Sequence, residues 1–150
     1  MAASGLRDEP LLGDSIQYLD GDAWTARASS GLEIAARVPG DIITDLQKAN
    51  VIEDPYFELN WINNASLWDA QDWIYQSSFA LMDISWLKDP SVVEIYLVFD
   101  GVKMVADLSL NGQLLGTALN QFLRYTFPVK SILNGGSNEV QVLDFVDHRL

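Results

Sequence analysis

At 150 residues the chain has room for one domain that buries about two thirds of its unfolded surface, and not for two full cores. Nine basic residues against 21 acidic ones give a net charge of −12. The electrostatic term behind non-specific nucleic-acid binding is therefore repulsive, so neither nucleic acid nor an anionic membrane is expected as a partner.

Neutral ligands such as uncharged sugars are compatible with this charge, although an acidic surface also serves solubility by itself. The lack of cysteine removes the disulfide and thiolate-metal classes, and one histidine cannot build a histidine-rich metal site. No cofactor is expected.

Residues 1–14 form a polar leader with early acidic residues and no apolar core of signal-peptide length. As it stands the chain reads as cytoplasmic; the alternative is a secreted or lysosomal protein whose true start lies upstream. No apolar run approaches the ~20 residues of a membrane span. The folded domain is expected over 15–150, with strands at 15–19, 24–28 and 32–38 separated by turns at Asp20-Gly21-Asp22 and Ser29-Ser30-Gly31.

Pro39-Gly40 breaks this pattern. From Asp41 to Ala49 the residues Ile42, Ile43, Leu46 and Ala49 fall on one helical face, with Asp41 as N-cap and Asn50 as stop. Over 51–70 no period persists, yet Pro55, Tyr56, Phe57, Trp61, Ile62, Leu67 and Trp68 give it an apolar content that disordered segments lack. It reads as an ordered loop packed over one end of a sandwich.

From Trp73 the period becomes two, placing Trp73, Tyr75, Ser77, Phe79 and Leu81 on one face. Val93, Ile95, Leu97 and Phe99 form the inward set of the next strand, and Val92 and Val98 suggest that it is central and covered on both sides. Ala106, Leu108 and Leu110 alternate with polar residues up to Asn111-Gly112, a two-residue turn of the kind that needs positive φ at both positions. The chain returns over 113–117, continues through Leu123, Tyr125, Phe127 and Val129, and turns at Asn134-Gly135-Gly136. In the last strand Val140 and Val142 oppose Leu143 and Phe145, a slip that means either a bulge or burial of both faces. Some eight short strands and one short helix give an all-β fold, an antiparallel jelly-roll sandwich.

The run VPGDIITDLQKANVIEDPYFELNWINNASLWDAQDWIYQSSF, over 38–79, joins a Val-Pro-Gly, an Asp-Pro, an Asn and a Trp-Tyr-Phe strand in one order. It resembles the N-terminal, galactose-binding-like β-sandwich of β-mannosidases, in the glycoside hydrolase family that also holds β-galactosidase and β-glucuronidase. Phe99-Asp100-Gly101-Val102 leading to Leu110-Asn111-Gly112, and the stretch 121–129, support the same resemblance. It implies an enzyme acting on terminal β-linked mannose in oligosaccharides. In that family the two catalytic glutamates lie on a separate (β/α)₈ barrel, which takes roughly 250 residues. The resemblance therefore implies a non-catalytic domain with the barrel as its partner. It also implies a sandwich that is C-terminally incomplete, because the family's Trp-Asp-Trp segment would follow the last strand. Unpaired edges would then favour self-association. A free-standing jelly-roll carbohydrate-binding module is the alternative.

Candidate substrate-binding residues are Trp61, Trp68 and Arg124. Trp61 stands where many family members have Glu after Asn60; it and Trp68 either present faces to a sugar ring or pack the loop down. Arg124 is either a ligand clamp or the partner of a local carboxylate. Glycoside hydrolysis with retention needs two carboxyl groups about 5 to 5.5 Å apart. Asp69 with Asp72, Glu53 with Asp54, and Asp144 with Asp147 can be paired on paper, yet solvated turns and strand ends explain them, and no catalytic residue is assigned.

Overall fold

The computed structural model describes residues 16–103 and 105–145. The expected leader, Asp147 and His148 lie outside them. The strands among the described residues are β1 (Gly21–Ala28), β2 (Glu33–Val38), β3 (Trp73–Ala80), β4 (Tyr96–Phe99), β5 (Ala106–Leu110), β6 (Gln113–Ala118), β7 (Tyr125–Pro128) and β8 (Ser137–Asp144). Six of them form one sheet in the order β2-β1-β3-β8-β5-β6, and β4 and β7 form a second; every pairing is antiparallel. The all-β antiparallel architecture is the one expected.

The period of two explains the large sheet's inner face. Trp24, Ala26 and Ala28 stand opposite Ala36, Ile34, Tyr75 and Trp73, while Tyr75 and Ser77 oppose Val142 and Val140, and these oppose Leu108 and Leu110. All these side chains therefore share one face. Two different covers bury it. Phe99, Tyr125 and Phe127 of the small sheet lie over Ala106, Leu108 and Ala118. Leu46, Ile52 and Trp68, from the segment between β2 and β3, join the side chains of β1–β3. At Gly116, opposite Leu108, an added Cβ would come within 3.0 Å of the Phe127 ring, so glycine is what lets the two sheets close there.

The helix expected over 41–49 is present as α1 (Ile42–Lys48). The Asp41 carboxylate accepts from the Thr44 backbone N–H and hydroxyl, and Asn50 follows at φ 56°. Three helical turns were not expected: α2 (Asn60–Asn64), α3 (Ser66–Asp69) and α4 (Ser85–Lys88). Each has four or five residues, too short to show a helical period in the sequence.

Residues 16–19 are not a strand, contrary to expectation. Gln17 instead ties this segment to the end of β3 through its side chain, which donates to Ala80 O and accepts from Met82 N. The turn at Asp20–Asp22 is the start of β1, irregular in register between Gly21 and Trp24. The strand expected from Val93 is confined to β4, and Val93 is 88% exposed. Val98 is also exposed, so the strand is not covered on both sides: β4 belongs to a two-stranded sheet whose outer face carries Tyr96 and Val98. Leu123, expected in the next strand, precedes β7 and is exposed. The slip in the last strand is not a bulge. β8 pairs with β3 in unbroken register from Ser137 to Asp144, and its last four residues are half-buried on both faces. No helix of the described residues is long and apolar enough to cross a membrane.

Candidate functional site

The segment between α1 and β3 is built on Asp54 and Asn60. Asp54 Oδ1 accepts from Tyr56 N, and Asp54 O accepts from Phe57 N and from Asn60 Nδ2. Asn60 N donates to Phe57 O, and Asn60 O accepts from Asn64 Nδ2. Glu58 takes a positive φ of 48° to close this turn. The frame is thus fixed by local hydrogen bonds while Tyr56, Phe57, Leu59 and Ile62 project into solvent, Tyr56 at 85% exposure. These four exposed apolar side chains lie within seven residues of one ordered loop.

Trp61 and Trp68 take different roles. Trp68 is 6% exposed and belongs to the core, although its indole N–H has no acceptor among the described residues. Trp61 is 42% exposed and bridges core and surface. Its ring centroid lies 5.2 Å from that of Trp68 at 55°, and 6.1 Å from that of Tyr56 at 22°. The packing alternative therefore describes Trp68, whereas Trp61, stacked beside the exposed Tyr56, offers aromatic surface to a ligand. Trp73 Nε1 donates to Leu67 O and anchors the loop to the sheet.

Arg124 does not join this set. Its Nε donates to Asp100 Oδ1 at 2.7 Å, both side chains being exposed, across the end of the β4–β7 pair. This is the local-carboxylate alternative, and such an exposed pair contributes little to stability. Of the acidic pairs, Asp54 is engaged in the turn, Glu53 and Asp69 are exposed, and Asp147 lies outside the described residues.

Sequence reasoning took Asp144 for a solvated strand end and did not single out Asp45, whereas the structure half-buries the first and buries the second. Asp144 ends β8 on the inward face, opposite Trp73 and Ala106, with Lys103 Nζ 3.6 Å from its Oδ2 and no hydrogen bond to its Oδ1 among the described residues. Burial pushes its pKa up to about 6; Lys103 works against this and Asp72 adds to it. Asp45 of α1 is buried beside β2, where its Oδ2 accepts from Arg37 N at 3.4 Å, with the Tyr75 hydroxyl 3.5 Å away. Burial raises its pKa too, and burial together with the Asp45 charge raises that of Tyr75. The only sequence signal for Asp144 was the loss of alternation at the end of β8; Asp45 gave none.

A pH dependence follows. The folded pKa of Asp144 lies above the ordinary carboxylate value near 4, so its protonated form favours the fold. That contribution is complete below about pH 4 and is lost as pH rises through about 6, amounting to about 2 to 3 kcal/mol. Asp83, Asp89 and Glu94 are shifted down by hydrogen bonds to Ser85, to Ser91 and to the backbone of Ile95 and Lys130, so they act in the opposite sense below their ordinary range. Asp144→Asn is expected to be more stable than the parent at pH 7.5 and to lose the advantage at pH 4, in urea melts at both values. Equal differences at the two pH values would contradict this.

The family described as glycosyl hydrolase 2 galactose-binding domain-like matches residues 24–146. β-Mannosidase of Rattus norvegicus is 33% identical over 77% of this chain and 12% of its own length. β-Mannosidase A of Aspergillus aculeatus is 33% identical over 83% of this chain and 13% of its own. The crystal structure of the β-D-mannosidase from Dictyoglomus thermophilum superposes with a TM-score of 0.77 at 32% identity, covering 86% of this chain and 15% of that one. The chain thus spans about an eighth of the length of the curated relatives it matches.

Proposed function

The chain belongs to the glycosyl hydrolase 2 galactose-binding domain-like family, and we propose that it serves as the non-catalytic N-terminal domain of an enzyme that removes terminal β-linked mannose from oligosaccharides. The observation that carries this reading is the joint match to β-mannosidases, which covers most of this chain and about an eighth of theirs. The sandwich packs against a catalytic barrel, and the loop bearing Tyr56, Phe57, Trp61 and Ile62 is the surface it turns toward barrel and substrate pocket. A rigid frame that keeps apolar side chains in water supports an interface there. Arg124, already paired with Asp100, is left out of the pocket.

The test is a chimera in which this chain replaces the corresponding segment of the Dictyoglomus thermophilum β-D-mannosidase. The chimera is expected to hydrolyse a chromogenic β-mannoside, and the isolated chain is not. Turnover by the isolated chain, abolished by replacing one of its acidic residues, would place catalysis here and overturn the reading.

Exposed Trp61 beside Tyr56 favours a second reading, a module that binds neutral sugar by itself through stacking. Titration of the isolated chain with mannobiose, followed by tryptophan fluorescence and repeated on Trp61→Ala, separates the two. Among the described residues the outer edges of β2 and β6 and of the two-stranded sheet pair with no further strand, which supports self-association at high concentration, as light scattering on the same preparation measures.

A further inference from the structure

The chain carries two Asn-Gly pairs, Asn111-Gly112 and Asn134-Gly135, and the fold treats them oppositely. We propose that Asn134 is a site of spontaneous covalent modification, deamidation to aspartate and isoaspartate, and that the fold protects Asn111 from the same reaction. The proposal does not rest on the function proposed above.

The chemistry needs an asparagine carboxamide free to meet the next backbone nitrogen, a following residue that does not obstruct the approach, and water. Gly135 N attacks Asn134 Cγ, the new N–Cγ bond forms, and the carboxamide C–N bond breaks. Ammonia leaves, carrying the proton from the Gly135 N–H. One water then opens the five-membered imide, at the side-chain carbonyl to give aspartate or at the main-chain carbonyl to give isoaspartate. No oxidant, metal or cofactor takes part.

At Asn134 these conditions meet. The residue and both following glycines are exposed, and glycine has no Cβ to crowd the attacking nitrogen. The backbone of Asn134 is engaged, with its N–H donating to Asn138 Oδ1 at 2.7 Å and its carbonyl accepting from Asn138 Nδ2 at 3.0 Å. These contacts use main-chain atoms only, and the carboxamide of Asn134 has no partner among the described residues.

At Asn111 the carboxamide is held at both ends. Its Nδ2 donates to Ile132 O and to Asn138 Oδ1, both at 2.9 Å, and its Oδ1 accepts from Glu139 N at 2.8 Å. Imide closure there would break three hydrogen bonds at once, in a hairpin whose two turn residues are fixed at φ 50° and 76°.

The modification has a structural consequence. In isoaspartate the backbone runs through Cβ and Cγ, and the former main-chain carbonyl becomes a carboxylate facing the Asn138 amide. A negative charge is added to a chain at −12, beside the side chain that joins this turn to the β5–β6 hairpin.

The test is prolonged incubation of the whole chain in mildly alkaline buffer, folded and in concentrated urea. Peptide mapping by mass spectrometry follows each Asn-Gly pair, and an isoaspartyl-specific methyltransferase reports the isoaspartate. The folded chain is expected to convert Asn134 many times faster than Asn111, and the unfolded chain to convert both at similar rates. Asn134→Gln, which keeps the backbone contacts but cannot readily close the five-membered imide, is expected to hold its melting temperature during an incubation in which the parent's falls. Equal rates at the two sites in the folded chain, or an intact Asn134 under conditions that convert both sites in urea, would overturn the proposal.

Discussion

Trp68→Ala is expected to destabilise the sandwich by about 3 to 5 kcal/mol, the cost of emptying the site of a large buried aromatic. The indole is 6% exposed and shares a core with Leu46, Ile52 and Trp73. Its N–H has no partner among the described residues, so the loss comes from transfer and cavity terms rather than from a broken polar contact. Trp68→Phe keeps most of the apolar body and removes the unpaired N–H, and its cost is expected to be well below that of alanine. Trp61→Ala is expected to cost only about 0.5 to 1.5 kcal/mol, the scale of its aromatic contacts, because the ring already meets water. Urea denaturation of the three variants against the parent decides this. Equal losses for the two alanine variants would mean that Trp61 is as much a core residue as Trp68.

Asn138→Ala is the second substitution with a large expected effect, about 2 to 4 kcal/mol. The side chain is 1% exposed and works as a hub between two turns: its Oδ1 accepts from Asn111 Nδ2 and Asn134 N, and its Nδ2 donates to Asn134 O. Alanine strands several polar groups at once, each costing about 1 to 3 kcal/mol where water cannot reach it. Asn111 keeps Ile132 O and Glu139 N as partners, which holds the total below a simple sum. Asn111→Ala on the Asn138→Ala background should therefore cost less than on the parent, a non-additivity that a double-mutant cycle reads directly. Strict additivity, or a loss below about 1 kcal/mol for Asn138→Ala, would show that the two turns are held independently.

The two hairpin signals of the sequence illustrate how local information behaves. Asn111-Gly112 announced its turn, and the turn is there, because positive φ at adjacent residues is a local steric demand that few residue pairs meet. That Asn111 would also reach across to Ile132 and Asn138 was not legible, since the partners lie 21 and 27 residues away. The helix over 41–49 was legible for the same local reason, through Asp41 and the spacing of Ile42, Ile43 and Leu46. The burial of Asp45 inside it was not, because only the packing of α1 against β2 puts that carboxylate beside Tyr75.

The sequence by itself determined the all-β class, the alternating strand that starts at Trp73 with one face inward, the order of the motifs from Val38 to Phe79 and hence the family resemblance. Each of these follows from side-chain period or steric preference within a few residues of chain. Only the tertiary structure decided that the strands divide six and two, that Val93 and Val98 face water, and that Trp68 is core while Trp61 is surface. It also decided that Arg124 pairs with Asp100 and that partial burial raises the pKa of Asp144. The physical reason is common to all of them: burial and pairing depend on what the fold brings over each face, and the period of a strand says which residues share a face without saying what covers it.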